Sequence, residues 1–143
     1  MAKLVKGEGP KNAKIVFVGE CPGQTEIKLG RPFVGRAGKF LDKQLKIHGI
    51  NRKKVYITNV VKEFCVGPPT PAKIKKHLPT LKKELSQLSK ARVIILLGKT
   101  AAKNVPLIND ATYLELVHPS AAMRFTKQRK KFELCMKKLE KLL

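Results

Sequence analysis

The chain has 143 residues, of which 31 are lysine or arginine and 10 are aspartate or glutamate, giving a formal net charge of +21. Its hydrophobic share of 43% suffices for a buried core, and no segment approaches the roughly 18 apolar residues of a membrane span. These values argue against a membrane-spanning chain and predict a soluble single domain over residues 1–143.

The basic residues are concentrated in three stretches, 43–54, 73–83 and 127–141. The charge exceeds what solubility requires, and its spread along the chain is typical of a folded binder of a polyanion rather than of a basic arm. Alternatively, lysine covers solvated helix faces, as in hyperthermophile proteins, but those usually enrich glutamate alongside lysine. Glutamate is scarce here. We therefore predict a nucleic acid as partner.

The three cysteines, Cys21, Cys65 and Cys135, lie far apart and form no Cys-x-x-Cys pair. An odd number without metal-ligand spacing predicts reduced thiols, and neither a disulfide framework nor a zinc site. We expect a cytoplasmic protein. The lysine bias and the lack of tryptophan are compatible with a thermophilic prokaryote or an archaeon.

Hydrophobic periodicity predicts strands that alternate with helices. In chain order we expect a strand at 14–18, a helix at 37–48, a strand at 55–60, a helix from Pro71 to Leu88, a strand at 93–97, a short helix at 100–104, a strand at 113–117 and a helix at 126–143.

The two longest predicted helices are amphipathic. The first should bury Ile74, Leu78, Leu81, Leu85 and Leu88, and the second Phe132, Cys135, Met136, Leu139 and Leu142. Strands that alternate with helices imply a mostly parallel sheet covered on both faces. The predicted fold is α/β, a three-layer α/β/α sandwich with a central four-stranded sheet.

Two predicted strands end in polar residues. The first is followed by the segment 19–23, Gly-Glu-Cys-Pro-Gly, and the last by His118-Pro119-Ser120. Ligands bind at the carboxyl edge of open α/β sheets, so we predict an active site assembled from these two ends. Considered alone, His118 is also compatible with a surface loop. His48 and His77 fall on predicted helices among lysines, and we expect both to be solvated.

Four segments of this chain together resemble the family 4 uracil-DNA glycosylases in order and approximate spacing. They are 19–23 (GECPG), 30–38 (GRPFVGRAG), 55–62 (VYITNVVK) and His118-Pro119-Ser120 followed by Met123-Arg124. The resemblance implies a monofunctional DNA repair enzyme that hydrolyses the N-glycosidic bond of a uracil flipped out of DNA and leaves an abasic site.

The chemistry of that reaction suggests two catalytic residues, Glu20 and His118. The base leaves as an anion while the sugar gains positive charge, so the site must stabilise charge on uracil O2 and hold a water near C1′. A neutral His118 can donate a hydrogen bond to O2. The resemblance implies that Glu20 orients the water or supports the sugar; alternatively, Glu20 caps loop amides.

Four residues are expected to contact the base. The amide of Asn59 offers a donor and an acceptor that match uracil and disfavour cytosine, although it could also cap the strand end. Phe33 is expected to stack on the flipped base, with Cys21 and Pro22 also in contact. Cys21 stands where the family usually has Ala or Gly. A thiol is not an anion unless its pKa is lowered, so we assign Cys21 a backbone contact and no nucleophilic role.

Five residues are expected to contact the DNA, which is either single- or double-stranded: Gln24, Lys62, Ser120, Met123 and Arg124. Met123 and Arg124 fall on a predicted loop and are expected to wedge into the minor groove. For Gln24 and Lys62, a solvated surface position without DNA contact is equally consistent with the sequence. We expect the protein to act as a monomer, away from membranes.

One departure from the family concerns its 4Fe-4S cluster, which is held by an N-terminal Cys-x-x-Cys and two cysteines after the second motif. Here the N-terminal pair is absent. Of the two later cysteine positions, one is occupied by Glu63, which follows Lys62, and the other falls near His77. Since Cys65 cannot hold a cluster alone, we expect neither a metal nor another cofactor. The connection from Gly98 to His118 is also shorter than is usual in the family.

Two other functions share these features. One is a glycosylase for another deaminated base, such as hypoxanthine or xanthine, and the other is a non-catalytic module that binds damaged DNA. Asn59 and Phe33 favour uracil. A nucleotide-phosphate enzyme is disfavoured because the segment 19–23 lacks both the P-loop and the Gly-x-Gly-x-x-Gly patterns.

Overall fold

The computed structural model describes residues 3–141. Their elements are, in order, β1 (Ile15–Gly19), α1 (Gln24–Leu29), α2 (Arg36–Ile47), a 3-10 turn (Arg52–Lys54), β2 (Tyr56–Asn59), α3 (Pro71–Ser86), β3 (Val93–Leu97), α4 (Lys99–Asn104), β4 (Thr112–Leu116), α5 (Pro119–Arg124) and α6 (Thr126–Glu140). Within this part of the chain, none of the helices is long and apolar enough to cross a bilayer.

All of the predicted strands and helices are present, with ends that differ by one or two residues. The exception is the end of α6, where the predicted residues 142 and 143, including the predicted core residue Leu142, lie outside the described part. Leu81, Leu85 and Leu88 are buried as predicted, whereas Ile74 and Leu78 are partly buried. In α6, Phe132, Met136 and Leu139 are buried, and Cys135 is partly buried.

The four strands form one sheet in the order β2-β1-β3-β4, and every pair is parallel. All residues of the central strands β1 and β3 are buried, which explains their continuous apolar runs. The edge strand β4 is largely exposed. Beside the other edge strand, Glu8 makes an antiparallel bridge to Ile57.

Helices cover both faces of the sheet. On one face α2, α5 and α6 contribute buried residues to the core, and on the other face α3 and α4 do so. The first group of buried helical residues is Leu41, Leu45, Ala122, Phe132, Met136 and Leu139, and the second is Leu81, Leu85 and Ala101. The prediction of a three-layer α/β/α sandwich is confirmed.

The prediction that Met123 and Arg124 lie on a loop is wrong, because both belong to the last turn of α5. Pro119 begins this helix. Proline is tolerated at the first helical position because a backbone N–H there would make no hydrogen bond within the helix. The side chain of His118 caps the helix by accepting from the backbone N–H of Ser120. Histidine is not among the usual capping residues, so the sequence carried no clear start signal.

The expectation that His48 and His77 are solvated is also wrong. His77 is only 5% exposed, because it continues the buried face of α3 between Ile74 and Leu81. His48 is half-buried and its Nδ1 pairs with the carboxylate of Glu140 on α6.

Candidate active site

A small cavity of about 200 Å³ opens at the carboxyl edge of the sheet. This volume is below the roughly 300–1,000 Å³ of sites for drug-sized ligands, so the cavity has room for one small molecule. Its walls include Cys21, Pro22, Phe33, Asn59 and His118, five of the residues selected from the sequence. They come from four separate segments that the parallel sheet brings to one edge.

The close approach of Asn59 to Phe33 depends on Gly19. Gly19 is the partner of Asn59 in the β1–β2 register. A Cβ on Gly19 would lie 2.5 Å from both Oδ1 of Asn59 and Cζ of Phe33, closer than real Cβ atoms come to neighbours. Only glycine therefore allows these two side chains to meet at the end of β1.

The amide oxygen of Asn59 has an unusual environment. The residue is 3% exposed, and within residues 3–141 Oδ1 has no hydrogen-bond partner. An unsatisfied buried acceptor costs about 1–3 kcal/mol, and native structures contain few of them. An N–H donor on a bound molecule would remove this cost. The backbone of Asn59 also ends β2.

Phe33 is buried beside His118. It is 6% exposed, and its ring centroid lies 5.8 Å from that of His118 with 31° between the planes. Its φ of 51° lies in the left-handed region, which is rare for a bulky residue. Such a conformation persists only when the surroundings hold it in place.

Arg52 holds the loop that carries Phe33. Its Nη1 donates to the carbonyl of Phe33 at 2.7 Å and to Asp42 Oδ1 at 2.6 Å, and Nη2 donates to the carbonyl of Pro32 at 2.6 Å. Gly38 is needed at the same place because a Cβ there would collide with the Phe33 carbonyl. The planar guanidinium thus fixes two consecutive carbonyls at once.

Glu26, on α1, connects the loop before α1 to the loop before α2 by hydrogen bonds. Its Oε1 accepts from the backbone N–H of Gly23 at 3.1 Å, and its Oε2 accepts from those of Val34 at 2.8 Å and Gly35 at 2.6 Å. Sequence reasoning missed both Glu26 and Arg52. For Glu26 the only available signal was its position three residues after Gly23, which fits a capping box.

The hydrogen bonds of His118 fix its tautomer. The backbone N–H of Ser120 donates to Nδ1 at 3.1 Å, and the Ser120 hydroxyl lies 2.9 Å from the same nitrogen. Since Nδ1 must accept, the ring proton is on Nε2 and is available as a donor. Burial holds the pKa of His118 below 6.5, with Glu20 opposing the shift. The imidazole is therefore neutral near pH 7.

Glu20 lies beside the pocket, directly before Cys21. Its Oε2 accepts from the hydroxyl of Thr100 on α4 at 2.6 Å, which fixes the carboxylate. Burial raises the pKa of the Cys21 thiol, and the neighbouring Cys65 and Glu20 raise it further. A protonated thiol is a poor nucleophile.

The structure contradicts the expectation that Lys62 contacts DNA. Its side chain is 4% exposed, and Nζ lies 2.6 Å from Glu84 Oε1 in a buried ion pair. The amine also donates to Thr58 Oγ1 and to the backbone carbonyl of Asn59, both at 2.6 Å. With all three donors used inside the protein, Lys62 has no group left for a phosphate.

The other residues expected to contact DNA are accessible. Gln24 begins α1, and Ser120 and Arg124 lie on α5; all three are exposed, and Met123 is half-buried. In the described part of the chain none of the four belongs to the cavity walls, although α1 and α5 directly follow the wall residues Gly23 and His118.

A larger groove adjoins the small cavity and shares His118 with it. The groove has a volume of about 840 Å³ and runs between β4 and α6. Its lining is mostly apolar, with three lysines and one carboxylate. These charged residues are Lys99, Lys131, Lys138 and Glu115, and the apolar ones include Leu114 and Leu134.

The residues of this chain do not fit a 4Fe-4S cluster, which needs four ligands. The chain contains three cysteines, and Cys135 packs on the opposite face of the sheet from Cys65. Across residues 3–141, no three His, Cys, Asp or Glu side chains are grouped so that they could hold a metal ion.

An ionic cluster occupies the place where the family resemblance implies cluster ligands. The Glu63 carboxylate lies 3.8 Å from His77 Nε2, 3.6 Å from Lys73 Nζ and 3.5 Å from Lys76 Nζ. Burial raises the pKa of Glu63, but Lys76, Lys73 and His77 outweigh it and hold the pKa below 4.5. The loop after β2 is thus attached to α3 by charges.

Comparison with known proteins confirms the resemblance. Residues 6–140 match the family model of the uracil DNA glycosylase superfamily. The chain is 34% identical to the type-4 uracil-DNA glycosylase of Archaeoglobus fulgidus, over 96% of this chain and 81% of that protein. It is 34% identical to the type-4 enzyme of Sulfurisphaera tokodaii, over 96% and 74%, and 56% identical to that of Thermotoga maritima, over 48% and 36%. The chain belongs to the uracil-DNA glycosylase superfamily.

Proposed function

We propose that this protein removes uracil from DNA by hydrolysing the bond between the base and the deoxyribose, which leaves an abasic site. Family membership and the names of the type-4 relatives support the activity. The observation that carries the proposal is the unpartnered, buried Oδ1 of Asn59 in a pocket whose wall also holds the neutral His118.

Asn59 supplies the base specificity in this proposal. The N3–H of uracil donates to Oδ1, and the Asn59 amide donates to uracil O4. Cytosine has an acceptor at N3 and a donor at N4. Its N3 would face Oδ1 and leave that oxygen without a donor, and its N4 amino group would face the Asn59 amide nitrogen, which is also a donor. A site whose buried polar group stays unpaired rejects the wrong ligand strongly.

The remaining pocket residues act on the departing base and the sugar. His118 donates from Nε2 to uracil O2, where negative charge develops as the bond breaks. Phe33 stacks on the base, and Glu20 orients a water or supports the positively charged sugar. In the described part of the chain the cavity walls hold no lysine, which a Schiff-base lyase step would need, so we propose hydrolysis only.

The substrate must leave the DNA stack to reach these groups. Flipping a base costs a few kcal/mol, and contacts to phosphates and within the pocket must offset this cost. We propose that Gln24, Ser120, Met123 and Arg124 contact the DNA beside the flipped nucleotide. The strand that continues from the uracil would follow the groove between β4 and α6, which carries three lysines, since both sites share His118.

The test is cleavage of labelled DNA that contains one uracil, single- or double-stranded, with alkali used to break abasic sites. We compare the wild type with Asn59→Ala and His118→Ala. Asn12→Ala and His48→Ala are matched controls, because these residues lie outside the pocket walls. Strong loss of cleavage only in the first pair supports the proposal.

Two outcomes would contradict it. If the wild type leaves uracil intact but cleaves DNA at hypoxanthine or xanthine, the pocket accepts another deaminated base. If it cleaves none of these and yet binds abasic DNA in a salt-sensitive manner, the protein is a binding module.

A further inference from the structure

The buried Lys62 connects the end of β2 to α3. Its amine donates at 2.6 Å to the carbonyl of Asn59, to Thr58 Oγ1 and to Glu84 Oε1. The side chain of Glu84 is 11% exposed and also accepts from the hydroxyl of Tyr56 at 2.6 Å. One carboxylate from α3 thus anchors three residues in or just after β2.

We propose that the Lys62–Glu84 pair is a positioning device, which sets the direction of the Asn59 amide by holding the peptide group from which that side chain extends. The inference rests on the proposed function, since it gives the pair a role in base recognition. Neither residue touches the cavity, so both act through Asn59.

The hydrogen bonding of Asn59 makes this support necessary. Its Oδ1 has no partner within residues 3–141, so no hydrogen bond to that atom orients the amide before a base arrives. The direction of the amide therefore depends on the backbone and on packing against Gly19 and Phe33. Lys62 holds the carbonyl of the same residue, one bond beyond the Cα that carries the side chain.

Stability alone is a weak reason for such a pair. Burial lowers the pKa of Lys62, and Glu84 opposes the shift. Replacing a buried ion pair by apolar residues of similar volume is often neutral or stabilising, whereas removal of one partner leaves an unpaired buried charge. What an apolar replacement could not provide is a donor to the Asn59 carbonyl.

The test uses variants that separate positioning from stability. Lys62→Met/Glu84→Gln removes both charges, so that no unpaired charge stays buried and the fold is retained. Tyr56→Phe is the matched control, since it removes a hydrogen bond of equal length to Glu84 without touching Asn59. The melting temperature of each variant is determined first. Then kcat and KM for uracil-containing DNA, and inhibition by free uracil, are measured at a temperature below every melting transition.

For the double variant we expect kcat to fall about tenfold to a hundredfold, as for a misplaced binding group, with KM for DNA nearly unchanged. Inhibition by free uracil should weaken by a similar factor. Tyr56→Phe should keep the wild-type kcat even if its melting temperature falls.

A double variant that is folded and has wild-type kcat and uracil inhibition overturns the inference while the proposed function stands. Equal losses of kcat in the double variant and in Tyr56→Phe would likewise overturn it, because they indicate general loosening. A wild type that cleaves no uracil-containing DNA overturns the proposed function and this inference with it.

Discussion

The backbone N–H of Ser120 donates to Nδ1 of His118 over 3.1 Å, and this contact serves two purposes. It caps the N-terminus of α5, and it leaves the ring proton on Nε2, where it can be donated to a ligand. The pocket donor and the helix cap are therefore the same side chain.

Replacing His118 by Asn should separate these two purposes. Asparagine is among the best N-cap residues, so His118→Asn should keep α5 and most of the stability. The shorter side chain cannot place a donor where Nε2 is, and the loss of such a donor typically costs about 10²–10³ in kcat. Single-turnover cleavage of uracil-containing DNA measures the rate, and thermal melting measures the fold.

The control for this substitution is His48→Asn, which changes the histidine directly after α2, outside the pocket walls. A His118→Asn protein that melts like the wild type and cleaves at the wild-type rate would show that His118 does not contact the reacting base.

The free energy of unfolding should fall as the pH drops from about 6.5 toward 5. Burial holds the pKa of both His77 and His118 below 6.5, so in this window the unfolded chain binds more protons than the folded one. The two neutral imidazoles make their full contribution to the free energy of unfolding above pH 6.5. This contribution is lost as the pH falls to the pKa values that the two histidines have in the folded protein. Urea unfolding at intervals of half a pH unit measures the slope.

Carboxylates do not account for this slope. The pKa values of Glu8 and Glu63 are held below 4.5, so their contributions are present above 4.5 and are lost only at lower pH. The double variant His77→Gln/His118→Asn should have a flatter profile between pH 6.5 and 5. A profile as steep as that of the wild type would assign the dependence to other groups.

The fold was predictable because local patterns and burial agree. Strands β1 and β3 are buried on both faces, and such strands are continuous apolar runs. The pocket residues Cys21, Asn59 and His118 each follow or end a strand, and parallel strands place their carboxyl ends together. Sequence order was therefore enough to bring them to one edge.

The supporting contacts were not predictable because they join distant residues. Arg52 binds the carbonyl of Phe33, 19 residues earlier, and Lys62 pairs with Glu84, 22 residues later. Nothing near Lys62 in the sequence distinguishes it from the exposed lysines of this basic chain. Its burial follows from a carboxylate that α3 brings to the end of β2.

Arg52→Lys should loosen the pocket even though it conserves the charge. The planar fork of arginine donates to two carbonyls and to Asp42 at once, and a single ammonium cannot reproduce this geometry. We expect unfolding free energy to fall by about 1–3 kcal/mol, as for buried hydrogen-bonding groups left unsatisfied. Uracil cleavage should also slow, because Phe33 holds a left-handed conformation that needs this support.

Lys53→Ala is the control for Arg52→Lys, since Lys53 is the exposed neighbour in the same 3-10 turn. Urea unfolding and cleavage kinetics are compared for the two variants. Unchanged stability and rate in Arg52→Lys would mean that the Phe33 loop is held by its glycines and by Glu26 instead.

Lysines of the groove between β4 and α6 should govern affinity for single-stranded DNA. Lys131 and Lys138 lie seven residues apart on α6, so they share one face of the helix about 10 Å apart along its axis. The two lysines can therefore pair with different phosphates of one strand. Lys131→Glu/Lys138→Glu should weaken binding of a single strand and reduce the slope of log affinity against log salt by about one to two.

The matched control is Lys82→Glu/Lys83→Glu, which changes the net charge equally on α3, across the sheet from α6. Fluorescence anisotropy with a labelled abasic strand at several salt concentrations gives both affinities and slopes. If only the α6 variant loses affinity, the strand follows the groove, because a change in net charge alone would affect both proteins alike. Equal losses in the two variants would show that the overall charge attracts DNA and that the groove has no particular part in holding it.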